Sequence, residues 1–121
     1  DIIGIANGKL TLADLKTSVK PYCRWWPKDF EKGSQEWRTR LGGYMKFKKC
    51  CLQLGAYALG IEQTLNLKVD QAAIIVSTPA DTQLFKISRR HLDYCQKDWL
   101  KVVEEYYKQI NNCIVYDLDN V

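Results

Sequence analysis

Asp1-Ile2-Ile3-Gly4-Ile5-Ala6-Asn7-Gly8-Lys9-Leu10-Thr11-Leu12-Ala13-Asp14-Leu15-Lys16-Thr17-Ser18 reads as two apolar-alternating runs joined at Asn7-Gly8. That dipeptide suits a type I′ hairpin, because both central residues must take positive φ. Side chains two apart on a strand share a face, so Asp14 and Lys16 are displayed together where the second strand ends in polar Thr17-Ser18. The hairpin returns Asp1 toward the Asp14 end, and two carboxylates and one lysine meet at one edge of a small sheet. Mg²⁺ or Mn²⁺ suits such a set. Asp1, Asp14 and the Leu15 backbone carbonyl supply hard oxygen ligands and leave room for a phosphate, which Lys16 then faces. The same D-x-K spacing also describes solvated charges at a sheet rim, and both readings stand at this point.

The 121 residues fit a single domain, 1–121, with a modest core. No apolar run is long enough to span a membrane, and no signal-peptide pattern is present. Because the sequence opens inside a strand-like run, we expect further chain before Asp1. Lysine and arginine number 18 against 14 aspartates and glutamates, a net charge of +4 that permits a polyanionic partner without requiring one. The five cysteines, Cys23, Cys50, Cys51, Cys95 and Cys113, form no C-x-x-C pair. They are expected as reduced thiols in a cytoplasmic compartment. Cys50 and Cys51 are adjacent on an expected helix and cannot both face one metal, which argues against zinc.

From Val19 to Gln35 two prolines, a glycine and the lack of periodicity predict a long loop. It interleaves Lys20, Arg24 and Lys28 with Tyr22, Trp25, Trp26 and Phe30. Cations for phosphates beside aromatic faces for bases are the ingredients of single-strand binding. Tryptophans anchoring the loop to the core would give the same composition. Glu36 to Leu65 is expected to be helical, with Gly42-Gly43 as a break or weak point. Tyr44, Phe47, Cys51, Leu54, Ala58, Ile61 and Leu65 form its apolar stripe. Lys46, Lys49, Gln53 and Tyr57 line a neighbouring face, which suits a phosphate backbone and equally suits a solvated lysine face.

Gln71 to Ser77, apolar and β-branched, predicts a strand buried on both faces. A turn at Thr78–Thr82 leads to a short edge strand, Leu84–Ile87. Ser88 can cap a last helix with the stripe Leu92, Cys95, Trp99, Val102, Tyr106 and Ile110. His91, in its first turn, has no acid or nucleophile placed beside it by sequence and reads as a surface or capping residue. The tail Cys113–Val121 is compatible with a strand or a loose end. The order predicts an α/β or α+β domain, a mixed β-sheet flanked by helices.

Asp1, then Asp14-Leu15-Lys16-Thr17-Ser18, then Gln53-Leu54-Gly55-Ala56-Tyr57, resembles the PD-(D/E)XK nuclease superfamily in its RecB-like exonuclease branch. Ile74 to Tyr107 is similar to the mitochondrial genome-maintenance exonucleases and their phage relatives. The resemblance implies a restriction-endonuclease-like core lacking its N-terminal part, since the family's first helix and first core strand would precede Asp1. It implies that Asp1, Asp14 and the Leu15 carbonyl ligate Mg²⁺ or Mn²⁺, and that Lys16 activates the attacking water. Gln53 and Tyr57 would steady the substrate strand. The five cysteines do not reproduce the spacing of the relatives that carry an iron–sulphur cluster, so none is expected. The expected function is a metal-dependent DNA exonuclease acting from single-stranded ends, in the host cytoplasm if it is phage-encoded as the similar phage exonucleases are. The alternatives are a non-catalytic single-strand-binding module of the same fold and a structural domain whose loop aromatics dock a protein.

Overall fold

The structure, a computed structural model, describes residues 1–119; of the C-terminal tail considered above, Asn120 and Val121 lie outside it. The elements are β1 (Ile2–Ala6), β2 (Lys9–Thr17), α1 (Gln35–Leu65), β3 (Gln71–Ser77), β4 (Thr82–Ser88) and α2 (Arg89–Ile110). The four strands make one mixed sheet in the order β1-β2-β3-β4. It is the α+β architecture expected from the sequence.

Asn7 and Gly8 take φ of 51° and 74°, the left-handed pair that a tight hairpin needs. Ile2 is thereby paired with Ala13 and Ala6 with Lys9. β2 and β3 run parallel, Thr11 beside Gln71 and Thr17 beside Ser77, so the chain must cross over between them. α1 is that crossover. β3 and β4 are antiparallel about a Thr78–Asp81 turn, where Thr78 N donates to the Asp81 carbonyl at 2.8 Å. Ser88 caps α2, its hydroxyl accepting from His91 N at 3.2 Å.

Side-chain parity decides which sheet face is core. Leu12, Ala72, Ile74, Val76 and Ile87 form one buried cluster with Phe47, Cys51, Leu54 and Ala58 of α1 and Leu92 and Cys95 of α2. The opposite parity leaves Leu15 and Leu84 exposed. Both helices therefore cover the same face. This corrects the expectation that β3 is buried on both sides: Ala72, Ile74 and Val76 are buried, while Gln71, Ala73 and Ile75 are only half-buried. A continuous apolar run satisfied the pattern, but only one of its faces meets a second layer.

α1 runs unbroken through Gly42-Gly43, against the expected break, and starts one residue earlier than read, behind the Ser34 cap. Gly43 has a packing reason. A Cβ there would lie 2.6 Å from the Pro21 carbonyl oxygen, so the missing side chain lets the Val19–Gly33 loop approach the helix. Gly55 does the same for α2, since its Cβ would meet the Cys95 carbonyl oxygen at 2.4 Å. A helix tolerates such glycines at about 1 kcal/mol each, and close packing can offset this. Asn66 ends α1 in the left-handed conformation, φ 54°.

The α2 stripe is only half used. Leu92 and Cys95 are buried, whereas Val102, Tyr106 and Ile110 are exposed, because the helix outruns the sheet and α1. Residues 113–119 form no strand. Arg89 ties the elements together, donating to Glu62 at 3.0 Å, to the Val69 carbonyl at 2.8 Å and to Gln96 at 3.0 Å. No helix among the described residues is long and apolar enough to cross a membrane.

Candidate active site

β2 alternates Leu12, Asp14 and Lys16 toward α1, which crosses above them. Asp14 is 2 % exposed, and a buried carboxylate requires partners. It has two. The Cys50 thiol donates to Oδ2 at 2.9 Å, and the Lys16 ammonium stands 3.4 Å from the same oxygen. Lys16 Nζ also donates to Gln53 Oε1 at 3.1 Å, and Gln53 Nε2 donates to the Tyr57 hydroxyl at 3.1 Å. A carboxylate, an ammonium, an amide and a phenol thus form one chain of contacts from the core to the surface.

Spacing in the sequence pairs Asp14 with Lys16 and Gln53 with Tyr57, and the family resemblance is what groups the four. Asp1 lies just beyond the Ile2–Ala13 pair, on the side where the register continues toward Asp14. It shares a groove of about 530 Å³ with Ile3, Leu12, Tyr57 and Ile61, so it sits on the α1 side of the sheet. Leu15 points its side chain to the open face, and only its backbone carbonyl is available to the site. Lys46 is adjacent, donating to Ser18 Oγ at 3.4 Å, and Lys49 is an exposed neighbour on the same helix.

The loop residues part company. Tyr22 is buried; its backbone N and O exchange hydrogen bonds of 2.8 and 3.0 Å with the Gln83 side chain. Trp26 packs edge-on to Trp37 and Tyr44, while Trp25 stays exposed with the Arg24 guanidinium 4.8 Å from its ring centre. Arg24, Trp25 and Trp26 line a separate groove on the β4 side of α1 and are not gathered around Asp14. Lys20 and Lys28 are exposed on the loop and make no side-chain hydrogen bond or ion pair among the described residues.

One member of the site, Cys50, was not anticipated. Burial, then the hydrogen bond to Asp14 and its charge, push the Cys50 thiol up to about 12, with Lys16 opposing. It is therefore a neutral donor at ordinary pH. Burial also raises the Tyr22 phenol, with further contributions from Cys50 and Asp14 and an opposing one from Lys16. Cys51, next in sequence, turns away. Its hydrogen bond with Cys95 and its burial raise it, and it stays a thiol on the α2 side. All five cysteines are free.

Among the described residues no three His, Cys, Asp or Glu side chains gather as a metal centre. Mg²⁺ asks for less, one or two carboxylates with water and substrate phosphate completing its shell. Both protein contacts to Asp14 fall on Oδ2, and Oδ1 has no hydrogen-bond or ion-pair partner among the described residues. The chain matches no protein-family model and no curated protein.

Proposed function

We propose that this chain is a metal-dependent DNA exonuclease of the PD-(D/E)XK type, hydrolysing phosphodiester bonds from single-stranded ends. The observation that carries the reading is the buried Asp14 in contact with Lys16, itself held by Gln53 and through it Tyr57. Asp14, Asp1 and the Leu15 carbonyl would hold Mg²⁺ or Mn²⁺, which when bound supplies a hydroxide-generating Lewis acid and charge neutralisation. Lys16 is pinned between a carboxylate and an amide. It presents its remaining ammonium proton to the attacked phosphate or to the water beside it, and offsets charge that grows in the transition state. Gln53 fixes the lysine rather than touching the phosphate, and so acts as a positioning residue. The Tyr57 phenol, 40 % exposed at the mouth, can pack against a sugar or base of the entering strand. The five free thiols support a reducing, cytoplasm-like compartment.

One observation favours a second reading. Cys50 and Lys16 already satisfy Asp14 Oδ2, as they would in a structural pair within a non-catalytic module of the same fold. Cleavage of 5′-labelled single strands with Mn²⁺ separates the two. The proposal expects cleavage that Asp14→Asn and Lys16→Ala both abolish. Cleavage that survives either change rejects the site, and DNA binding without any cleavage favours the module.

A further inference from the structure

We infer that the groove on the β4 flank of α1 is a second binding site, one that takes unpaired nucleotides without a metal. It measures about 1080 Å³, just above the ~300–1,000 Å³ typical of small-ligand pockets, and its lining shares no residue with the groove beside Asp1. Phe47 and Phe85, with ring centres 5.1 Å apart, give it an apolar floor.

Its charge is one-sided. Arg24, Lys48 and Lys101 line it against a single carboxylate, Asp98. Among the described residues none of these three cations is ion-paired, whereas Lys16, Arg40, Arg89 and Lys108 all are. Three unpaired cations drawn from the loop, α1 and α2 around one depression form an electrostatic trap for a polyanion.

Aromatic faces stand among them. Trp25 is 70 % exposed and already carries the Arg24 guanidinium on its ring, and Tyr94, 53 % exposed, lines the same groove from α2 with Lys97 5.7 Å from its ring centre. An acidic peptide would use the cations and leave the rings idle. A single strand uses both, phosphates on the lysines and bases on the rings. Duplex DNA keeps its bases stacked and can offer these rings only its backbone. The inference shares with the proposed function the class of ligand but needs neither Asp14 nor cleavage.

The test is titration of the intact chain with a short oligothymidylate in EDTA, followed by tryptophan fluorescence. Quenching is expected, with affinity weakened about tenfold or more in Trp25→Ala. Lys101→Ala should lower the salt slope by about 0.7. Both residues are exposed, and an unchanged far-UV spectrum verifies folding. Inorganic polyphosphate should bind more weakly and ignore Trp25→Ala. If both variants bind like the parent, or polyphosphate matches the oligonucleotide, the inference is overturned. Asp14→Asn should bind as the parent does. A parent chain that shows quenching but no cleavage sinks only the active-site reading, and silent groove variants in a cleaving enzyme sink only this one.

Discussion

The two flanks of α1 use the same kinds of side chain in opposite ways. On the β2 flank the central groups are held by one another, Asp14 by Cys50 and Lys16, Lys16 by Gln53, Gln53 by Tyr57. On the β4 flank the cations stand unpaired beside exposed rings. Interlocked groups are preorganised, which is what a reacting centre needs. Unpaired groups at a surface are free to follow a flexible ligand. One helix separates the two flanks, with Phe47 and Cys51 turned to one side and Lys46, Gln53 and Tyr57 to the other.

The largest expected effect lies on the preorganised flank. Asp14→Asn should lower cleavage at least about 10³-fold in a single-turnover assay, the scale of losing a principal electrostatic element. Oligonucleotide binding on the other flank should stay within about twofold. Coupled losses would mean that the flanks are one site.

The next prediction concerns what holds the flanks together. Gly55→Val puts a side chain into the Cys95 carbonyl and must part the helices, so unfolding free energy should fall by about 3 kcal/mol in urea titration. Gly60→Ala, with open space at its Cβ, should instead stabilise by up to about 1 kcal/mol. Equal effects at the two positions would contradict the close approach of α1 and α2.

Alkaline pH sharpens the comparison further. The folded state holds the Cys50 proton up to about 12, while the unfolded thiol releases it near its ordinary value of 9.0. The stability due to this group is complete below that ordinary value and is lost as pH rises through the interval to about 12, at up to ~1.4 kcal/mol per pH unit. Cys50→Ser keeps a donor for Asp14 and should lose stability less steeply across pH 9 to 11. Parallel curves would place the thiol outside the Asp14 contact. The smallest effect is expected at Gln53→Ala, about a tenfold fall in kcat with KM little changed, because Lys16 loses an anchor but keeps Asp14. A KM effect alone would assign Gln53 to substrate instead.

Local signals made half of this legible in the sequence. Asn7-Gly8 carried the hairpin, and the two-residue and four-residue spacings placed Asp14 with Lys16 and Gln53 with Tyr57. Cys50 escaped because its contact spans 36 residues and depends on how α1 is rotated over β2, which no helical stripe specifies. Gly43 looked like a breaker because the Pro21 carbonyl that needs its bare Cα lies in a loop without periodicity. The same blindness applies to α2, where a regular stripe runs on past Trp99 to residues that stay exposed. Periodicity reports that a face is apolar, and only the neighbouring elements decide whether it is covered. Likewise the loop's basic and aromatic residues were readable, but not that Tyr22 turns inward while Trp25 faces the other groove.

Direct titration with Mn²⁺, following the free ion by its paramagnetic resonance, addresses the Asp14 site at its root. The account predicts saturable binding by the parent chain that disappears in Asp14→Asn while the fold is retained. Equal uptake by both proteins, or none by the parent in the presence of a single-stranded oligonucleotide, would contradict it.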